Sequence, residues 1–162
     1  MIKFRHMAAA AALATLAAGP VALSAAPAKS EAAIPVAVAA PADGKAQVVF
    51  FRPGGMGMAI KCTIRNDGKL IGQVGNGKYF IATLDPGKYA FTTKTEATDT
   101  LNMELESNET YYVRCKIGMG MVAGRPNISP ATKADFDAKS AKLKLKTAEE
   151  VAEDQAEEAA KK

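Results

Sequence analysis

The chain has 162 residues, with 21 Lys and Arg against 17 Asp and Glu, a formal net charge of +4, and a single histidine. A charge this small and this evenly spread argues against a nucleic-acid-binding protein, which requires a concentrated basic face. The histidine, His6, lies in an amino-terminal segment with the features of a cleaved signal. The mature protein would therefore lack the commonest general base and the commonest metal ligand.

Residues 1–28 have the pattern of a secretory signal peptide. A short basic region precedes an alanine-rich apolar run from Met7 to Ala18, and small residues suited to signal-peptidase cleavage lie between positions 24 and 28. A membrane-spanning helix would need about 20 apolar residues, but Gly19-Pro20 interrupts the run well before that length. No cysteine lies near the cleavage region, which excludes a lipid-anchored precursor. We therefore expect a periplasmic or secreted protein without a transmembrane segment in the mature chain.

Residues 29–45 have the composition of a linker. They are rich in Ala, Pro and Lys, which predicts a flexible or extended segment. The alternation of Ile34, Val36 and Val38 leaves a short edge strand as the alternative, although prolines on both sides make a strand less favourable.

From residue 46 onward the sequence has the pattern of short β-strands. The run Val48-Val49-Phe50-Phe51 is apolar on both faces, as in a strand buried inside a sandwich. Apolar and polar residues alternate with a period of two around Cys62 and again around Cys115, which indicates strands with one buried face.

Glycine-containing turns separate these strands. Three of them, at residues 66–68, 75–77 and 85–87, lie about nine residues apart, a spacing typical of an all-β sandwich or small barrel. Glycine supplies the positive φ of tight turns, and Pro86 presets φ in the third. We therefore predict a mainly β protein in which residues 46–130 form an antiparallel sandwich of seven to eight strands.

Residues 131–162 form a charged carboxyl-terminal segment. Ala, Lys, Asp and Glu dominate, a composition that favours helix, and we predict a helix from about residue 132 to 146. Six carboxylates lie between Glu149 and Glu158. This last part is expected to be a solvated helix or disordered, and not a binding surface.

Five short motifs along the strands carry a resemblance to a known bacterial family. In chain order they are Gly68-Lys69-x-x-Gly72, Asn76-Gly77-Lys78-Tyr79-Phe80, Leu84-Asp85-Pro86-Gly87-Lys88, Thr110-Tyr111-Tyr112-Val113-Arg114 and Gly124-Arg125-Pro126. Together they resemble the domain of unknown function twenty-eight forty-six, found in secreted proteins and lipoproteins, over about residues 45 to 145.

The resemblance implies a prealbumin-like sandwich and no known reaction. The Pro-Gly hairpin is also similar to PEGA-type and carboxypeptidase-regulatory-like sandwich modules, which mostly act as surface or interaction domains. This sequence differs from the lipoprotein members because it lacks a lipidated cysteine. The family has no established site, so it implies no functional residues here.

Cys62 and Cys115 are the only cysteines, and each lies on the apolar face of its predicted strand. Two thiols in an oxidising compartment favour a disulfide. The alternative is a pair of buried free cysteines that act as small hydrophobes, since bridging also requires Cα atoms within about 7 Å. Redox catalysis is not expected, because no Cys-x-x-Cys spacing is present.

Two similar segments contain four of the methionines: Gly55-Met56-Gly57-Met58 and Gly118-Met119-Gly120-Met121. If the strands run up and down through the sandwich, both segments emerge at the same end. Thioethers are soft ligands that suit Cu(I), so Met56, Met58, Met119 and Met121 are candidate metal ligands. The alternative is that these methionines fill irregular gaps and close the open end of the core.

Catalysis has little support in the sequence. Ser107, Ser129 and Ser140 have no histidine to activate them, and no carboxylate pair has a recognisable spacing. We therefore predict a non-catalytic, cofactor-free envelope module that binds a protein, peptide or glycan. A Cu(I)-binding protein is the second hypothesis, and an uncharacterised enzyme is the third.

Overall fold

The computed structural model describes residues 34–121 and 124–161, and the predicted signal peptide lies outside these ranges. In this part of the chain the elements are β1 (Ala46–Arg52), β2 (Cys62–Asn66), β3 (Lys69–Val74), β4 (Lys78–Leu84), β5 (Gly87–Lys94), β6 (Thr98–Leu105), β7 (Thr110–Gly118), β8 (Arg125–Ala131), α1 (Lys133–Ser140), β9 (Lys144–Leu145) and α2 (Ala148–Ala160). The predicted mainly β fold is confirmed.

The strands form two sheets that pack as a sandwich. One has five strands in the order β8-β7-β1-β4-β9, and the other has four in the order β3-β2-β5-β6. The four-stranded sheet is antiparallel throughout. The five-stranded sheet is mixed, because β1 pairs in parallel with β7 and β4 pairs in parallel with the short β9. Five of the seven described strand pairs are antiparallel, so the predicted antiparallel sandwich is confirmed in the main, with these two parallel pairs as exceptions.

Strand β1 is buried at every position, because both faces of the five-stranded sheet are covered at its centre. Burial on both faces is the usual setting of parallel strands. On the inner face the Phe50 ring stacks on Phe80 with centroids 5.1 Å apart and meets the edge of Phe91 at 5.2 Å. A Cβ at Gly72 would lie 2.7 Å from the Phe80 ring, so this glycine makes room for the core.

Helix α1 covers the outer face of the five-stranded sheet. Its fully buried Phe136 meets the rings of three strands, with centroids 5.4 Å from Phe51, 5.2 Å from Tyr79 and 5.6 Å from Tyr112. The helix begins with a capping box, in which the Thr132 hydroxyl accepts from the backbone N–H of the third helical residue. Contacts between aromatic rings stabilise the fold beyond the effect of the apolar area that the rings bury.

The part of the predicted linker that the structure describes, residues 34–45, packs on this same face. It has no regular structure, so the alternative of an edge strand is wrong. Val36 and Val38 contact the apolar cluster around Phe136 on the outer face of the five-stranded sheet. The backbone N–H of Val36 donates to Ser140 Oγ at 2.9 Å. The described part of the segment therefore lies against the sandwich, where the two half-buried valines contribute apolar contact.

The carboxyl-terminal segment contains two helices instead of the single helix predicted over 132–146. The first ends at Ser140, and β9 then adds to the edge of the five-stranded sheet. The second helix starts after Thr147, whose hydroxyl accepts from the Glu150 backbone N–H while the Glu150 carboxylate accepts from the Thr147 N–H. This capping box was present in the sequence and defines the second start.

Helix α2 docks through polar groups and through Val151, which packs against the inner core. Lys146 forms an ion pair with Asp154, and Arg65 pairs with Glu158 at 2.8 Å. Gln155 Nε2 donates to the carbonyl oxygens of β3 at residues 70 and 71. The tail, predicted as helical or disordered, is therefore helical where described. Neither of the two helices has both the length and the apolar character needed to cross a bilayer, among the residues described.

A disulfide joins the two sheets. Cys62 on β2 and Cys115 on β7 are bonded, with Cα atoms 6.6 Å apart, and both are buried in the inner core. They are 53 residues apart in the chain. The predicted disulfide is therefore present, and the alternative of two buried free cysteines is wrong.

We expect protein purified from its native compartment to contain no free thiol when it is denatured without reductant. Replacing Cys62 and Cys115 with Ala should lower the free energy of unfolding by about 2–5 kcal/mol, because the unfolded chain loses a long closed loop. Thiol titration and urea denaturation measure the two effects. Two free thiols per chain would contradict the disulfide.

Candidate functional site

The methionines lie in two loops at one end of the sandwich. The first methionine loop (residues 53–61) follows β1, and the second (residues 119–121 and 124 in the described chain) follows β7. Because β1 and β7 are parallel, with Phe51 opposite Arg114, both loops leave the same end of the sheet. The parallel pair, and not an up-and-down order alone, brings them together.

Both loops contact the same side chain, Ile117. A Cβ added to Gly57 would lie 2.8 Å from Ile117 Cγ2, and one added to Gly124 would lie 2.7 Å from that atom. Gly57 also has φ of +72°, which favours glycine. Glycine at these two positions therefore allows both backbones to pack closely against the end of β7.

The four methionine side chains point to solvent. Their exposed fractions are 66% for Met56, 77% for Met58, 83% for Met119 and 99% for Met121. The interpretation that they close the end of the core is therefore wrong. A buried residue that sequence reasoning did not single out, Arg52, occupies the end of β1 on the side of Phe50.

Arg52 fixes the first methionine loop. Its guanidinium donates to the carbonyl oxygens of Met56 at 3.0 Å and Gly57 at 2.7 Å, and also to that of Ile60. No carboxylate in the described ranges forms an ion pair with it. Burial lowers the pKa of the Arg52 side chain, but arginine remains protonated in proteins. The side chain is thus a buried cation solvated by the loop carbonyls.

Arg52 could have been found from the sequence. It lies two residues after Phe50 and four after Val48, so period-two alternation places it on the same inward face. A charged residue at the end of such a face needs several hydrogen-bond acceptors. The glycine-rich loop that follows supplies them.

Further hydrogen bonds hold the loops. The Gly55 N–H donates to Asn76 Oδ1 at 3.1 Å, and the Ile60 N–H donates to the Gly57 carbonyl at 2.9 Å. In the second loop the Met121 N–H donates to Glu96 Oε2 at 3.0 Å. The methionine side chains are therefore presented on anchored backbones.

The serines considered as nucleophiles lie apart from this end or have structural roles. Ser140 is buried, and its hydroxyl accepts from Val36 and donates to the Asp137 carbonyl. Ser107 and Ser129 are exposed on a turn and on β8. Within residues 34–121 and 124–161, His, Cys, Asp and Glu form no group of three or more suited to a metal ion.

Replacing Arg52 with Met should loosen the first methionine loop, because three carbonyls lose their donor. The free energy of unfolding should fall by about 1–3 kcal/mol, and the Ile60 amide should exchange with solvent faster than in wild type. Hydrogen exchange and urea denaturation measure this, with the exposed Lys88→Met as control. Unchanged exchange at Ile60 would contradict the anchoring role.

Comparison with curated proteins finds an uncharacterized protein of Haemophilus influenzae. It is 24% identical over 106 residues, which is 65% of this chain and 63% of the relative. The match thus spans less than two thirds of that protein's length. No solved structure matches the chain at a significant level.

The family comparison covers the sandwich itself. The sequence profile of DUF2846, described as a protein of unknown function, matches residues 42–128, from just before β1 into β8. This range includes the disulfide, Arg52 and both methionine loops, and it exceeds half of the chain. The chain therefore belongs to the DUF2846 family.

Proposed function

We propose that this protein is a non-catalytic module of the bacterial envelope that binds a protein or peptide partner through its two methionine loops. The observation that carries the proposal is the display of four thioether side chains on anchored loops at one end of the sandwich. A glycan is the less suitable partner, because this surface is apolar.

The exposure is concentrated at this end. Six large apolar side chains of the described residues are exposed, and four of them are these methionines; the other two are Ile34 and the half-exposed Leu145. Exposed apolar residues that occur together mark interaction surfaces, whereas single ones are ordinary. Methionine is flexible and polarizable, so it adapts to apolar partner surfaces of different shape.

The backbone beneath these side chains is already ordered. Arg52 binds three carbonyls of the first loop, and the Met121 N–H binds Glu96 in the second. Binding then costs the ordering of methionine side chains, while the described loop backbone is already held by these hydrogen bonds. An anchored backbone with adaptable side chains is the arrangement that a binding surface needs.

The envelope assignment is supported by the disulfide and by the amino-terminal pattern. A buried disulfide between the two sheets suits an oxidising compartment. Residues 1–28 have the sequence of a secretory signal. A partner in the periplasm or at the envelope surface is therefore the one that the protein would meet.

Two quadruple variants test this proposal. Replacing the four methionines with Gln should abolish capture of the partner from cross-linked envelope extract, because the apolar surface is lost. Replacing them with Leu should retain capture, because Leu preserves apolar volume. Quantitative mass spectrometry of the captured proteins measures both, with Ile34→Gln as the matched control. Equal capture by wild type and the Gln variant would refute the proposal.

Binding of Cu(I) is the second candidate function. Both methionine loops leave one end of the sheet and contact Ile117, so four soft sulfur ligands lie in neighbouring loops. A Cu(I) carrier would use the sulfur atoms themselves, whereas a protein partner would use the apolar surface.

The same variants separate the two functions. The purified protein is titrated with Cu(I) under anaerobic conditions. If the protein is a Cu(I) carrier, the wild type should bind the metal, and both the Leu and the Gln variants should fail to bind it. Circular dichroism checks that both variants keep the fold. If wild type binds Cu(I) no better than the Leu variant, the metal function is refuted and the interaction module remains.

A further inference from the structure

A basic cleft lies next to the first methionine loop. It has a volume of about 280 Å³ and opens where the carboxyl ends of β1 and β7 meet the end of α1. Four of its lining residues are basic and none is acidic; the basic ones are Arg52, Arg114, Lys116 and Lys139. The cleft therefore has the electrostatic character of an anion site.

The fold explains why three of these cations converge. Arg114 and Lys116 are two residues apart on β7, so they lie on the outer face together with Tyr112. Tyr112 packs against Phe136 of α1, which brings the last turn of this helix, with Lys139, to the same end of the sheet. Contacts of the core thus bring three basic residues to the lining of one cleft.

These charges are not neutralised by neighbouring carboxylates. Among the residues described, Arg114, Lys116 and Lys139 take part in no ion pair. The two nearby acids of α1 have other partners. Asp137 pairs with Lys133 at 2.6 Å, and Asp135 accepts from Thr132 at 2.7 and 2.9 Å.

Arg114 does influence Asp135 from a distance. Hydrogen bonds from Thr132 are the main cause of the lowered pKa of Asp135, and the positive charge of Arg114 adds a smaller effect. Asp135 is nevertheless engaged by Thr132 and is not part of the cleft. The partly enclosed opening therefore keeps an excess of positive charge, which concentrates anions.

The loop side of the cleft allows close approach. Gly54 lines it, and a Cβ at this position would meet no atom within 4 Å. A ligand oxygen can therefore reach the backbone here without steric hindrance. Arg52 lies beneath the same loop and adds a buried positive charge that no described carboxylate pairs.

We propose that this cleft binds the phosphate group of a small phosphorylated ligand. Arg114 would hold two phosphate oxygens with its planar guanidinium, while Lys116 and Lys139 would neutralise the remaining charge. A phosphate monoester carries nearly two negative charges and three strong acceptor oxygens, which match three cations. A carboxylate has one charge and is satisfied by a single arginine, so it fits this set less well.

The size of the cleft agrees with this ligand class. At about 280 Å³ it is slightly smaller than the pockets of roughly 300–1,000 Å³ that enclose drug-sized molecules. It suits a phosphate monoester with a short organic part, whether free in solution or as the headgroup of phosphatidic acid. Met56 of the first methionine loop also lines the cleft, but the proposed phosphate contacts come from the basic residues, and the test leaves the methionines unchanged.

The test is isothermal titration of the purified protein with inorganic phosphate at constant ionic strength. The site variant replaces Arg114, Lys116 and Lys139 with Gln. The control variant replaces Lys69, Lys88 and Lys94 with Gln, a matched charge change at positions that also form no ion pair in the described chain.

Wild type and the control variant should bind phosphate saturably with similar affinity. The site variant should bind about tenfold more weakly or not at all, because charge-assisted hydrogen bonds are lost. If the triple variant does not fold, Lys139→Gln and Arg114→Lys replace it. No saturable binding by wild type, equal binding of acetate, or an equal loss in the control variant would overturn the proposal.

Vesicles distinguish the source of the phosphate. Co-sedimentation with vesicles that contain phosphatidic acid, whose headgroup is a phosphate monoester, assigns the site to a lipid headgroup if it is lost in the site variant and kept in the control variant. Phosphate binding without co-sedimentation assigns it to a soluble phosphorylated molecule. Both results support a phosphate site, and they are independent of whether the methionine loops capture a partner.

Discussion

The parallel pairing of β1 with β7 is the constraint on which the arrangement of the described sandwich and its loops depends. Parallel strands place their carboxyl ends together, so the loops that follow them meet at one end. This pairing requires cover on both faces of the sheet, which the inner core and α1 supply. The methionine loops and the basic cleft are both built on the carboxyl ends of this one pair of strands.

Arg52 links this framework to the surface. A hydrophobic residue at the end of β1 would close the core equally well, but it would leave the carbonyls of the first loop without a donor. The buried arginine instead donates hydrogen bonds to three carbonyl oxygens of the irregular loop, and these carbonyls replace water around its charge. Three backbone carbonyls are thereby held in fixed positions while the side chains of Met56 and Met58 remain outside.

The features that local chemistry dictates were accessible from the sequence. Turn glycines, apolar alternation and the two inward cysteines predicted the sandwich and placed the cysteines that the structure bonds. The parallel pair was not predictable in this way, because it joins strands about sixty residues apart and depends on what covers the outer face. Arg52 and the capping box at Thr147 and Glu150 were visible, but each becomes informative only when the preceding strand or helix is known to end there.

The docking of α2 has a consequence for the solubility of the fold. Strand β3 is an edge strand of the four-stranded sheet, and open edges are templates for pairing with other chains. Gln155 Nε2 occupies two of its carbonyl oxygens, and the Arg65–Glu158 ion pair holds the helix in place. The acidic helix thus covers the β3 edge of the sheet, where it leaves fewer backbone groups open to pairing with another chain.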